Sequence, residues 1–171
     1  MNASDRINAA VRHETPDRVP MHLNASQWVV QRLMDRYSWP DPEWFDFSGI
    51  RSDLTIWNNF SIMASGGSVF QHASYLVGVD ILDPIQPESM DPANIKKLYG
   101  KDICLRGGIS SQQVLAHGSS ADVEYEVRKK LDDLMPGGGY IFSPGHPVLQ
   151  VDIPTENIVT MYQTALKYGK Y

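Results

Sequence analysis

The sequence predicts an α/β protein with parallel strands. Three short apolar runs in its second half alternate with amphipathic helical stretches, which is the pattern of βαβ units. The runs are nearly continuous in apolar residues instead of alternating, as expected of parallel strands that are covered on both faces. An open doubly wound sheet and a (β/α)₈ barrel share this pattern, and periodicity does not separate them. Its 171 residues suit a single domain.

The first part of the chain, residues 1–55, is predicted to be helical. One helix covers residues 5–13, and Pro16 prevents it from continuing. A second helix covers residues 26–37. Its apolar residues at helical spacing are Val29, Val30, Leu33, Met34 and Tyr37. Residues 58–74 show no clear pattern.

The second part, residues 76–171, is predicted to contain the βα units. The predicted strands cover residues 77–84, 102–108 and 140–143. The predicted helices cover residues 90–99, a stretch that begins at Ser119 and ends before Pro136, and a stretch that begins at Pro154. Ser119 and Asp122 have the spacing of a capping box, and a glycine run at 137–139 ends the middle helix.

Composition and charge exclude several classes of protein. Fifteen Lys and Arg against twenty Asp and Glu give a net charge of −5, which argues against non-specific nucleic-acid binding. No apolar run approaches the roughly 20 residues of a membrane span. The single cysteine, Cys104, excludes an internal disulfide framework. Because no signal peptide is visible at the N-terminus, we expect a cytoplasmic protein without membrane or nucleic-acid partners.

Polar residues follow each predicted strand, and both candidate architectures bind ligands at the carboxyl ends of their strands. His146 is the candidate catalytic residue, because an imidazole pKa near 6.5 suits proton transfer. The candidate substrate-binding residues are Asp83, Gln86, Ser110, Gln112 and Ser143. The alternatives are a turn aspartate at position 83 and a loop histidine at position 146.

The remaining histidines lack metal-ligand spacing, and we expect them to be surface or packing residues. They are His13, His22, His72 and His117. We therefore predict no metal site.

Several ordered segments resemble the uroporphyrinogen decarboxylase (URO-D) superfamily. They are R-H-E-T-P-D-R-V-P at 12–20, G-V-D-I-L-D-P-I-Q at 78–86, R-G-G-I at 106–109, G-G-G-Y-I at 137–141, P-G-H at 144–146 and P-T-E-N-I at 154–158. The resemblance covers about residues 5–55 and 76–171. It implies a TIM barrel, and the ~250 residues of a full barrel exceed this chain, so we expect a partial barrel that lacks its middle.

The resemblance implies cofactor-free decarboxylation of uroporphyrinogen to coproporphyrinogen in haem biosynthesis, with activity weak or absent in the short chain. His146 occupies the position where decarboxylases carry a histidine that contacts the substrate. One alternative is a methyltransferase component that uses a corrinoid and zinc on a methylated substrate. Its His-x-Cys-Gly zinc motif is replaced here by Ala64–Gly67, which contains neither ligand.

The other alternative is a non-catalytic remnant that pairs with itself. A partial barrel leaves an unpaired strand edge and exposed apolar surface, so we expect a homo-oligomer. A polyanionic tetrapyrrole also needs fixed positive charge, and Arg106 is the one arginine in the strand-end segments.

Overall fold

The computed structural model describes residues 1–23, 25–37, 63–64, 81–146 and 148–171. The helices are α1 (Ala3–Val11), α2 (Gln27–Tyr37), α3 (Pro92–Tyr99), α4 (Val114–His117), α5 (Ser120–Leu134) and α6 (Thr155–Tyr168). The strands are β1 (Met63–Ala64), β2 (Ile81–Ile85), β3 (Cys104–Ile109) and β4 (Tyr140–Pro144). The predicted boundaries at residues 55 and 76, and residues 77–80 of the first predicted strand, lie outside the described residues.

The described strands form one parallel sheet in the order β1-β2-β3-β4. In its register Leu82 lies beside Leu105, and Leu105 beside Tyr140. The prediction of an α/β protein with parallel strands is therefore confirmed. The order also matches the sequence order, as in successive βα units of a barrel.

The beginning of the chain lies along the free side of β4. Met21 forms a parallel bridge with Phe142, where the Phe142 amide donates to the Pro20 carbonyl at 2.8 Å and the His22 amide donates to the Phe142 carbonyl at 3.0 Å. The first and last strands of a barrel meet in this way. The described part of the chain is consistent with a partial barrel of the URO-D type.

Alternation of side chains gives the sheet two distinct faces. One face packs on α5 and α6 and forms the main core, which includes Leu82, Leu105, Phe142, Val127 and Ile158. We call the opposite face the inner face, since it corresponds to the inside of a barrel. Near the amino ends of the strands, this inner face carries an apolar cluster of Ile81, Cys104 and Ile141, to which α1 contributes Ala10.

Local sequence signals account for the helix ends. The Ser119 side chain accepts from the Asp122 amide, and the Asp122 side chain accepts from the Ser119 amide, so the predicted capping box is present. α5 buries Val123, Val127 and Leu131 as its periodicity indicates. Glycines 137–139 all have φ between 65° and 78°, a left-handed conformation that ends the helical run of α5 before β4 begins.

Two details differ from the predicted helices. The inward face of α2 is narrower than its periodicity suggests: Val29 and Leu33 are buried, whereas Met34 is 51% exposed and Tyr37 is 36% exposed. Helix α4 was not predicted, because four residues are too few to show a helical period.

Within the described residues, no helix has the length and apolarity that a membrane crossing requires.

Candidate functional site

A polar layer crosses the inner face directly above the apolar cluster at its base. It consists of Asp83 on β2, Arg106 on β3 and His22 on the segment beside β4. Arg106 Nη1 donates to Asp83 Oδ2 at 2.5 Å, and Arg106 Nη2 lies 2.5 Å from His22 Nδ1. The Asp83 and Arg106 side chains are only 3% and 7% exposed. The guanidinium therefore links three separate segments of the inner face.

The protonation of this layer follows from its burial and from its charges. Burial raises the pKa of Asp83, while the neighbouring Arg106 opposes that shift. Burial and the positive charge of Arg106 together lower the pKa of His22 to about 4. His22 is therefore neutral near pH 7. Because a guanidinium can only donate, His22 Nδ1 accepts from Arg106, and the ring proton lies on Nε2.

The main chain of His22 is also held in place. Its carbonyl accepts a hydrogen bond of 2.6 Å from the hydroxyl of Tyr162 on α6. The Tyr162 ring meets Phe142 edge to face, with ring centroids 6.1 Å apart. The helix layer thus supports a residue whose side chain lies on the inner face.

We call the segment that follows the carboxyl end of a strand its rim. In the rim of β3, the contacts are centred on Ser110, which is 5% exposed. Its amide donates to Glu126 Oε1 at 2.8 Å, and its hydroxyl donates to Glu88 Oε1 at 2.5 Å. Gln112 is exposed, and its amide donates to the same Glu88 oxygen at 3.2 Å. Ser110 and Gln112 are therefore brought together by one carboxylate.

The rim that follows β4 is attached to the rim that follows β3. The Gly145 amide donates to the Ile109 carbonyl at 2.7 Å, and the His146 amide donates to Ser111 Oγ at 3.0 Å. The half-buried His146 ring places Nδ1 2.8 Å from the Val148 carbonyl and 3.2 Å from the Val148 amide. This local turn occupies Nδ1, so Nε2 is the nitrogen available for proton exchange.

The other two predicted residues are less closely connected. Ser143 is 2% exposed, and its hydroxyl donates to the Pro144 carbonyl at 3.1 Å. The half-buried Gln86 ends the β2 rim, where its carbonyl accepts from the Ser89 and Met90 amides. The structure thus joins the rims of β3 and β4 directly, whereas Asp83 lies deeper, in the polar layer.

Sequence reasoning missed three residues of this region, His22, Glu88 and Glu126, and it named Arg106 as a source of positive charge without its direction. His22 was expected to be a surface or packing residue, but its ring contacts Arg106 on the inner face. Its place after a short apolar segment, V-P-M at 19–21, was the available signal. The direction of Arg106 follows from its register, because it lies beside the inner-face residue Ile141.

Comparison with known proteins shows the family to which this chain belongs. The family model for uroporphyrinogen decarboxylase (URO-D) matches residues 63–168, which is more than half of the chain. The chain belongs to the URO-D family. It is 31% identical over 94 residues to uroporphyrinogen decarboxylase from Sodalis glossinidius (strain morsitans). That match covers 55% of this chain and 25% of the relative, so the chain matches only a quarter of that protein's length.

The described residues offer no group of ligands for the zinc ion that the methyltransferase alternative uses. Among them, no three His, Cys, Asp or Glu residues group in a way that could hold a metal ion. Cys104 is fully buried, and burial raises the pKa of its thiol to about 12, so a thiolate ligand is not favoured there. Its packing agrees with an inert core cysteine.

Proposed function

We propose that this chain binds a carboxylated pyrrole compound at the mouth formed by the rims of β2, β3 and β4, and that it is a decarboxylase with weak activity as a short chain. The observation that supports this proposal is the polar layer of Asp83, Arg106 and His22 beneath that mouth. Family membership supports the same class of substrate.

The layer offers a carboxylated ligand both a positive charge and a neutral donor. Arg106 supplies the charge, and Asp83 fixes its direction. His22 supplies the Nε2 proton, because its lowered pKa keeps it neutral while Nδ1 accepts from Arg106. In this proposal Asp83 acts on the substrate through Arg106.

Decarboxylation of an acetate side chain on a pyrrole consumes one proton. Protonation of a ring carbon creates an electron sink, and the bond between the methylene carbon and the carboxylate then breaks to release CO₂. The methylene carbon next takes a proton to become a methyl group, and the ring carbon loses its own proton. His146 is the proposed proton carrier, through Nε2. The substrate-binding residues proposed at the rims are Gln86, Ser110, Gln112 and Ser143.

The charges of the layer also explain why activity should be weak. Asp83 and Arg106 form a neutral pair, and His22 adds no charge near pH 7. The guanidinium and the imidazole can donate hydrogen bonds to one substrate carboxylate, but the layer has no net positive charge, and each uncompensated carboxylate in a partly dry site costs several kcal/mol. A polyanionic tetrapyrrole therefore needs cations beyond the polar layer.

The proposal includes self-association as the source of further site residues. Among the described residues β1 pairs with β2 alone, so its other side is a candidate edge for a second copy. Light scattering should show a dimer or larger assembly. A monodisperse monomer with a cooperative thermal transition would contradict this part.

The activity itself is tested by incubating the chain anaerobically with uroporphyrinogen and separating the oxidised porphyrin products by carboxyl number. We expect slow loss of carboxyl groups above the buffer rate, abolished in His146→Gln and retained in His117→Gln. His117 is the matched control, because it is an exposed histidine on α4. No product beside a working uroporphyrinogen decarboxylase would favour the non-catalytic alternative.

A further inference from the structure

Two carboxylates from different elements converge on Ser110 outside the polar layer. Glu88, which follows β2, accepts from the Ser110 hydroxyl at 2.5 Å, and Glu126 on α5 accepts from the Ser110 amide at 2.8 Å. The same hydroxyl accepts from the amides of Gln113 and Val114 at 3.3 and 3.2 Å. We call Glu88, Ser110 and Glu126 the serine clamp.

Ser110 of the serine clamp is next in sequence to the residue that holds the backbone of His146. Ser111, the next residue, accepts from the His146 amide at 3.0 Å. One residue before the clamp, the Ile109 carbonyl accepts from the Gly145 amide at 2.7 Å. A shift of Ser110 therefore moves both acceptors that fix the backbone of the β4 rim.

We propose that Glu88 and Glu126 are positioning residues that set the place of His146 through Ser110 and Ser111. This inference rests on the proposed function for its significance, since His146 matters as a proton carrier only if the chain is a decarboxylase. The physical linkage itself requires no substrate and can be measured alone.

The electrostatics of the clamp make the linkage sensitive to pH. Burial raises the pKa of Glu126, and the charge of Glu88 adds to that increase. The Ser110 amide and the lysines of α5 oppose it. Glu88 Oε2 is buried without a hydrogen-bond partner among the described residues. The other charged or titratable groups that line the adjoining cleft are His117 on α4 and Asp122, Tyr125, Lys129 and Lys130 on α5.

Protonation of Glu126 removes the negative charge that the Ser110 amide faces. A charge-assisted hydrogen bond is roughly twice as strong as a neutral one, so the amide is then held less firmly. His146 should therefore respond to a carboxyl group on helix α5, although no direct contact joins the two side chains.

The test uses NMR of the full chain, with the His146 signals assigned by comparison with His146→Gln. Glu126→Leu removes both the acceptor and the charge, whereas Glu126→Gln keeps an acceptor oxygen and removes the titration. Asp132→Leu is the matched control, because Asp132 is an exposed carboxylate on the same helix. Ser111→Ala removes the hydroxyl that accepts from the His146 amide.

We expect the His146 amide and imidazole signals to shift in Glu126→Leu and in Ser111→Ala but not in Asp132→Leu. Glu126→Gln should restore the wild-type positions while reducing the acid-range titration of the Ser110 and His146 amides, since Glu88 still contacts the Ser110 hydroxyl. In the wild type these two amides should titrate together, which tests the linkage even if a variant fails to fold. Independent titration of the two amides would overturn the proposal, whatever the decarboxylase assay shows. His146 signals that keep their wild-type positions and titration in both Glu126 variants would overturn it as well.

Discussion

Replacing Arg106 by leucine removes the charge that compensates a buried carboxylate. Asp83 is 3% exposed, and its Oδ2 accepts from Arg106 at 2.5 Å, so the variant leaves an unpaired carboxylate beside a histidine that has lost its donor. Breaking a buried ion pair on one side costs about 3–5 kcal/mol. We therefore expect Arg106→Leu to lower the free energy of unfolding by that amount near pH 7.

The double variant measures the coupling free energy between Asp83 and Arg106. Asp83→Leu removes the carboxylate that accepts from Arg106 Nη1 and should also be destabilising. Two leucines can pack without any uncompensated charge, so Asp83→Leu/Arg106→Leu should be more stable than either single variant. The coupling free energy should exceed about 2 kcal/mol, within the range for residues in direct contact.

The assay is urea-induced unfolding followed by circular dichroism, at pH 7 and at pH 5. Because burial raises the pKa of Asp83, and loss of Arg106 raises it further, protonation should reduce the cost of Arg106→Leu at the lower pH. Arg128→Leu is the control, since Arg128 is exposed and stacks on Tyr168, and it should cost about 1 kcal/mol or less. Additive effects of the two leucine substitutions would refute the reasoning.

Three further predictions concern single residues. The pKa of His22 is lowered to about 4 from an ordinary 6.5, so the unfolded chain takes up a proton first as the pH falls, and stability should be lost between about pH 6.5 and pH 4. The loss is at most about 3 kcal/mol, reduced by the partial exposure of the ring, and His22→Leu should flatten this part of the pH–stability curve. Cys104 is fully buried, with a thiol pKa raised to about 12, so iodoacetamide should label it only when urea unfolds the chain. Labelling of the native protein at the rate of a free thiol would contradict that placement. Ser119→Ala should lower the free energy of unfolding by about 1 kcal/mol, because it removes the capping box of α5; an unchanged urea midpoint would show that the cap contributes nothing.

The elements that sequence reasoning predicted well have local causes. The capping box at Ser119, the glycines at 137–139 and the apolar run of β4 act over a few residues, and each appears in the structure where it was predicted. Parallel pairing also followed from the βαβ pattern, and parallel strands bring the rims of β3 and β4 together.

The polar layer could not be predicted in the same way, because its contacts join distant parts of the chain. His22 and Arg106 are 84 positions apart, and the short apolar segment before His22 does not indicate which strand it runs beside. Glu88 and Glu126 likewise reach Ser110 from separate elements. Tertiary packing, and not residue type, decided which polar side chains meet.

Binding of a carboxylated pyrrole is the most direct test of the central claim. Titration of the isotopically labelled chain with porphobilinogen, a monopyrrole that carries two carboxylates, should perturb the amide signals of His22, residues 85–86, residues 110–112 and residues 143–146 as one saturable set. Perturbations confined to the cleft between α4 and α5, or none at all at saturating ligand, would contradict the account.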